Sequence, residues 1–173
     1  MNRRESIRTL MAASAGLIAL PLWAEGWVAE TLPTRLSVFT MTEQDALAAV
    51  ADTIIPPGDS IGALSVGVDK FLVALFDRCY EEDVQANLKK QLGALDTAAR
   101  SKHGKDFAAC DPDQRTNLLM SFADSDEKDK SDFFTLVKRE TIRGFSTSRE
   151  VMVEYHKYKV APGHYHGCVD VNS

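Results

Sequence analysis

Thr42-Glu43-Gln44-Asp45-Ala46-Leu47-Ala48-Ala49-Val50-Ala51-Asp52-Thr53-Ile54-Ile55-Pro56-Pro57-Gly58-Asp59 is the stretch that decides the fold class. Ala46, Leu47, Ala49, Val50 and Ile54 recur at the three-to-four spacing of one buried helical face. Thr42 is the expected N-cap, and Glu43 and Asp45 put negative charge in the first turn, where the helix dipole favours it. The Pro56-Pro57-Gly58-Asp59 turn then stops the helix, because proline supplies no N–H to continue the ladder.

The same period continues downstream. From Ser65, the residues Val66, Phe71, Leu72, Leu75 and Phe76 form a second amphipathic segment ending near Cys79. Residues 81–102 predict a long polar helix whose apolar marks Val84, Leu88, Leu92 and Leu95 stay on one stripe. Asp111-Pro112 starts another helix, with Asp as N-cap and Pro at the first helical position, and it runs through Leu118-Leu119-Met120 to Phe122. After the charged link at residues 124–129, a last long helix carries Phe133, Phe134, Leu136, Val137, Thr141 and Ile142. Gly144 is expected to close it as a C-cap. No segment alternates apolar and polar residues as a half-buried strand would. The sequence predicts an all-α domain of about five helices over residues 31–173, with an irregular tail from Ser146.

Composition agrees with one core. Of 173 residues, 45% are hydrophobic and 26% charged, which supports a globular interior and excludes a disordered chain. The 20 Lys and Arg against 25 Asp and Glu leave a net charge of −5, the wrong sign for a general nucleic-acid binder.

The N-terminus reads as an address. Arg3, Arg4 and Arg8 precede the apolar run Leu10-Met11-Ala12-Ala13-Ser14-Ala15-Gly16-Leu17-Ile18-Ala19-Leu20, which ends at Pro21. A basic head, a short apolar middle and small residues beyond it follow the plan of an export signal over residues 1–30; the other reading is an amphipathic N-terminal helix of a cytoplasmic protein. The pair Arg3-Arg4 points to the twin-arginine route, which moves folded cargo to the periplasm. Ala24-Glu25-Gly26 offers small residues for cleavage, whereas Trp23 and Trp27 crowd that site. Cleavage and retention as a membrane anchor both stay open.

Signs of chemistry are few. Phosphate loops, dinucleotide fingerprints, nucleophile elbows and paired metalloprotease histidines are all missing. Glu81-Glu82-Asp83 reads as first-turn acids of a helix, and residues 124–132 lack the central Gly and final Glu of a calcium loop. The tail Pro162-Gly163-His164-Tyr165-His166-Gly167-Cys168 does concentrate ligand types, since an extended chain would put His164, His166 and Cys168 on one side. A fourth ligand with its own spacing is lacking, so a metal site and a polar or interface tail are the two readings. Cys79 lies near an apolar stripe and is expected to pack as a small buried residue.

Several of these stretches carry a resemblance. The twin-arginine leader, residues 47–56, Gly62-Ala63, the segment Thr141-Ile142-Arg143-Gly144-Phe145-Ser146-Thr147-Ser148, and the terminal Pro-Gly…Gly-Cys run resemble the small subunit, subunit 3, of gluconate 2-dehydrogenase-type complexes. The resemblance covers most of the chain. It implies a helical, non-catalytic subunit with no cofactor of its own. Its partner would be a large FAD-dependent flavoprotein of the glucose-methanol-choline type that oxidises a sugar or sugar acid. Such complexes often pass electrons to a cytochrome c subunit and associate with the membrane. The flavoprotein commonly lacks a leader, so the small subunit would escort it through twin-arginine export. The alternatives are a free-standing periplasmic metal protein using the His-Tyr-His-Gly-Cys tail, or a helical structural protein held at the membrane by its leader.

A subunit of this kind needs an apolar docking patch. Phe145, Met152, Tyr155, Tyr158 and Tyr165 are the candidates, because aromatics and Met are enriched in interface cores; the other reading has them cover the subunit's own core. Three cysteines leave an odd thiol in an oxidising compartment. If Cys79 and Cys110 pair or stay buried, Cys168 is left for a bond to the large subunit; an intrachain bridge or a buried thiol are the alternatives.

Overall fold

The computed structural model describes residues 37–159. Its first helix, α1 (Met41–Ile54), is capped by Thr40 and not by Thr42. The Glu43 N–H donates to Thr40 Oγ1 at 3.3 Å, and the Thr40 N–H donates to Glu43 Oε2 at 2.7 Å. This reciprocal box satisfies two orphan donors at once. Phe39, buried just ahead of it, fixes where the chain enters.

The end of α1 explains the Pro-Pro and Gly-Ala pairs. The Ala63 N–H donates to Ile55 O at 2.9 Å, folding the loop back on the helix terminus. Gly62 then lies so close to the diproline that a Cβ on it would sit 2.6 Å from Pro57 N and 2.9 Å from Pro56 C. Those atoms are backbone and cannot rotate away. Gly62→Ala is therefore expected to destabilise the domain by about 1.5 kcal/mol through overpacking, read as a lower urea midpoint at unchanged slope.

A 3-10 turn (Leu64–Val66) and Gly67, whose φ of 72° suits glycine, lead into α2 (Val68–Cys79). Its buried residues Val68, Leu72 and Phe76 step by four. Continuing that step reaches Tyr80, whose ring packs on Phe76 at 5.2 Å between centroids. Cys79 is turned away from the core and is exposed, contrary to the stripe reading. The α3 helix (Glu82–His103) buries Leu88, Leu92, Leu95 and Ala99 and ends at Gly104, with φ of 71°. Asp111 and Gln114 cap α4 (Pro112–Ala123) with a second box.

The last helix, α5 (Lys128–Thr147), runs through Gly144 instead of stopping there. Gly144 is buried, and a Cβ on it would meet Phe71 Cδ1 at 2.6 Å, so the glycine is a contact surface for the α2 ring and not a cap. The region after Ser146 is also more regular than expected. Ser148 Oγ donates to Phe145 O at 2.8 Å, and one π-helical turn (Val151–Tyr155) follows.

All elements among the described residues are helical, with five α-helices. Both α1 and α5 touch each of the other four α-helices and pack on each other, so the first and last helices form the centre. A half-buried ion pair, Arg115 to Asp52 at 3.0 Å, ties α4 to α1. Phe107, in a 3-10 turn (Phe107–Ala109) between α3 and α4, is fully buried, and that turn packs against α1.

Candidate partner-binding site

The α5 stripe of Phe133, Val137, Thr141 and Gly144 contains one charged member, Glu140, which is 2% exposed. Arg139 Nε donates to Glu140 Oε1 at 2.8 Å and Arg143 Nη1 to Glu140 Oε2 at 3.2 Å. Arg139 Nη2 also donates to the Tyr80 hydroxyl at 3.3 Å. Burial pushes the Glu140 carboxyl up, but the hydrogen bonds from Arg139 and Tyr80 and the two guanidinium charges outweigh it and hold it below the usual carboxylate range. Burial also raises the Tyr80 hydroxyl, with Arg139 opposing and Glu140 adding. The cluster ties the C-terminal end of α2 to α5. No sequence motif marked Glu140, although its position on an apolar stripe between two arginines was a readable signal.

Beside this cluster, the first turns of α3 and α5 enclose an open groove of about 580 Å³. Half-buried Val84 and Leu136 supply its apolar lining over the buried Leu88 and Phe133, and its rim mixes Asp83, Asp129 and Asp132 with Lys90 and Arg139. Lys90 pairs with Asp129 at 3.0 Å, while Asp83 and Asp132 form no ion pair among the described residues.

The C-terminal segment presents a different surface. Phe145 and Met152 are half-buried, Phe145 against the core, while Tyr155 and Tyr158 are exposed at 53% and 54%. Val153 is exposed beside them. Tyr155 is positioned by a 2.8 Å hydrogen bond between its hydroxyl and Ser60 Oγ, which joins the segment to the loop after α1. Lys157 adopts a positive φ of 53°, a strained conformation for a residue with a side chain. A π-turn, local strain and exposed tyrosines coincide here, a combination that recurs at functional sites.

Thus the five expected docking residues divide. Phe145 and Met152 partly cover the subunit itself, Tyr155 and Tyr158 face outward, and Tyr165 lies outside the described residues. Arg3, Arg4, His164, His166 and Cys168 lie outside them too. Among the described residues Cys79 and Cys110 form no disulfide; Cys79 is exposed and Cys110 buried. No helix among the described residues is long and apolar enough to cross a membrane.

Fold and surfaces of the described residues define a small all-helical domain with an aromatic segment on one surface and a groove of mixed charge on another. Residues 41–163 match the family model for gluconate 2-dehydrogenase subunit 3. The chain belongs to that family, a small accessory subunit of a dehydrogenase complex. No curated protein and no solved structure matched the chain.

Proposed function

We propose that this chain is the non-catalytic small subunit of a periplasmic FAD-dependent dehydrogenase complex that oxidises a sugar or sugar acid. It binds the catalytic flavoprotein and escorts it through twin-arginine export. FAD resides in the partner. The observation that carries this reading is the family match over the helical body, preceded by a leader holding Arg3-Arg4. The surface around Tyr155 and Tyr158 is the docking candidate, because tyrosines concentrate binding energy at interface centres.

Copurification tests it. The tagged chain, isolated from the periplasm, is expected to bring down a larger yellow protein with a flavin spectrum. A colourless monomer at full yield would overturn the reading. With Arg3→Lys and Arg4→Lys together, both polypeptides are expected to stay in the cytoplasm; a flavoprotein still reaching the periplasm at normal level excludes the escort role.

A further inference from the structure

We propose that the surface docking the flavoprotein continues from the Tyr155 turn onto the loop at residues 56–60. The Ser60–Tyr155 hydrogen bond lies at its centre and is shut off from water in the complex. The inference rests on the partner reading above and makes Ser60 a positioning residue for docking.

The placement of exposed apolar side chains favours this face. Eight large hydrophobic residues are exposed among the described residues, and three of them, Val153, Tyr155 and Tyr158, fall within six positions. Residues 56–60 are all exposed as well, Pro56 and Pro57 included. The 2.8 Å contact between Ser60 Oγ and the Tyr155 hydroxyl sets the two segments edge to edge, although 95 positions separate them in sequence. Apolar side chains gathered in this way mark a protein-binding face, whereas singly scattered ones mark nothing.

Both segments are held in place before any partner arrives. On the loop, the Gly58 N–H donates to Ser60 O at 3.2 Å, the Ala63 N–H donates to Ile55 O at 2.9 Å, and Gly62 backs against the diproline. On the turn, the Val151 N–H donates to Ser148 Oγ at 3.4 Å, Val151 is buried, and the Tyr158 N–H donates to Met152 O at 2.9 Å. Segments fixed beforehand lose little entropy on docking, so more of the contact energy appears as affinity. The Ser60–Tyr155 bond is exposed in the free subunit, where water competes for both hydroxyls and the net gain to folding is small. Under a partner that water is gone. The bond then strengthens, and a hydroxyl without its mate becomes costly.

The complex recovered with the tagged chain supplies the test, its flavoprotein identified by flavin spectrum and mass. Dissociation is followed for the wild type, Ser60→Ala, Tyr155→Phe and the double variant. Each single substitution strands one hydroxyl in the interface and is expected to speed dissociation about tenfold. The double variant removes both hydroxyls and is expected to return to within about threefold of wild type. The urea midpoint of the free subunit is expected to stay unchanged in all three variants. Equal dissociation of wild type and Ser60→Ala, or single effects that simply add in the double variant, would overturn the proposal. So would a Ser60→Ala chain whose urea midpoint falls in step with its loss of binding, since the bond would then be a folding contact. A wild-type chain that recovers no flavoprotein overturns the partner reading and this surface with it; a bound flavoprotein indifferent to Ser60 overturns the surface alone.

Discussion

Phe107→Ala is expected to destabilise the domain by about 4 kcal/mol, within the range for a fully buried phenylalanine. Phe107 sits in a short turn, yet it is as deeply buried as Phe76 and Phe133. Its backbone N–H donates to Asp96 Oδ1 at 2.9 Å, and Arg100 pairs with neighbouring Asp106, so the turn is pinned to α3. A pinned turn cannot slide inward to fill the space left by the ring. The cavity therefore stays, and the cost includes lost contacts as well as lost burial. Total stability for a domain of this size is roughly 5–15 kcal/mol, so one truncation removes a large share of it. Urea unfolding followed by circular dichroism measures the effect. Phe107→Leu should recover more than half, and a loss below 1 kcal/mol for the alanine variant would show that the turn collapses.

The second large effect is electrostatic and shrinks as pH falls. Removing both Arg139 and Arg143 leaves the Glu140 carboxylate buried with only the Tyr80 hydroxyl beside it. Stranding a buried charge costs about 3–5 kcal/mol; the lower end applies here, because the two guanidinium groups are themselves about 60% exposed and partly screened. In the wild type the folded-state value lies below the ordinary 4.5. Its contribution is therefore complete above that ordinary value and is lost as pH falls through the lower folded one. In Arg139→Ala/Arg143→Ala, burial dominates and the folded value moves above the ordinary one. That variant should gain stability relative to wild type as pH falls from 7 toward 5, where protonation relieves the buried charge. Adding Glu140→Gln should restore most of the loss at pH 7. Parallel stability curves for wild type and double variant between pH 5 and 7 would contradict this account.

The helices were legible because their apolar stripes are long. Leu88, Leu92 and Leu95 needed no tertiary information to be placed on one face, and Asp111-Pro112 announced its helix by cap chemistry alone. Boundaries were less legible, since Thr40 and Thr42 each have an acid three residues on, and only the buried Phe39 selects between them. Gly144 has the residue type of a helix stop, but its role is set by Phe71 on another helix, which no local pattern reveals. Phe107 belongs to no period at all. The docking candidates were readable as residue types, whereas their division into half-buried and outward-facing members follows from Ser148 and the π-turn, which fix the path of the chain after α5.

The central packing of α1 against α5 has a consequence for biosynthesis. Helix α1 cannot complete its contacts until α5 has left the ribosome. At roughly 5–20 residues per second, the stretch from Ile54 to Thr147 takes on the order of 5–20 s to translate. Throughout that interval the arginine pair has been synthesised while the core is still open. A nascent chain of this topology therefore exposes the apolar face of α1 for seconds before α5 arrives to cover it.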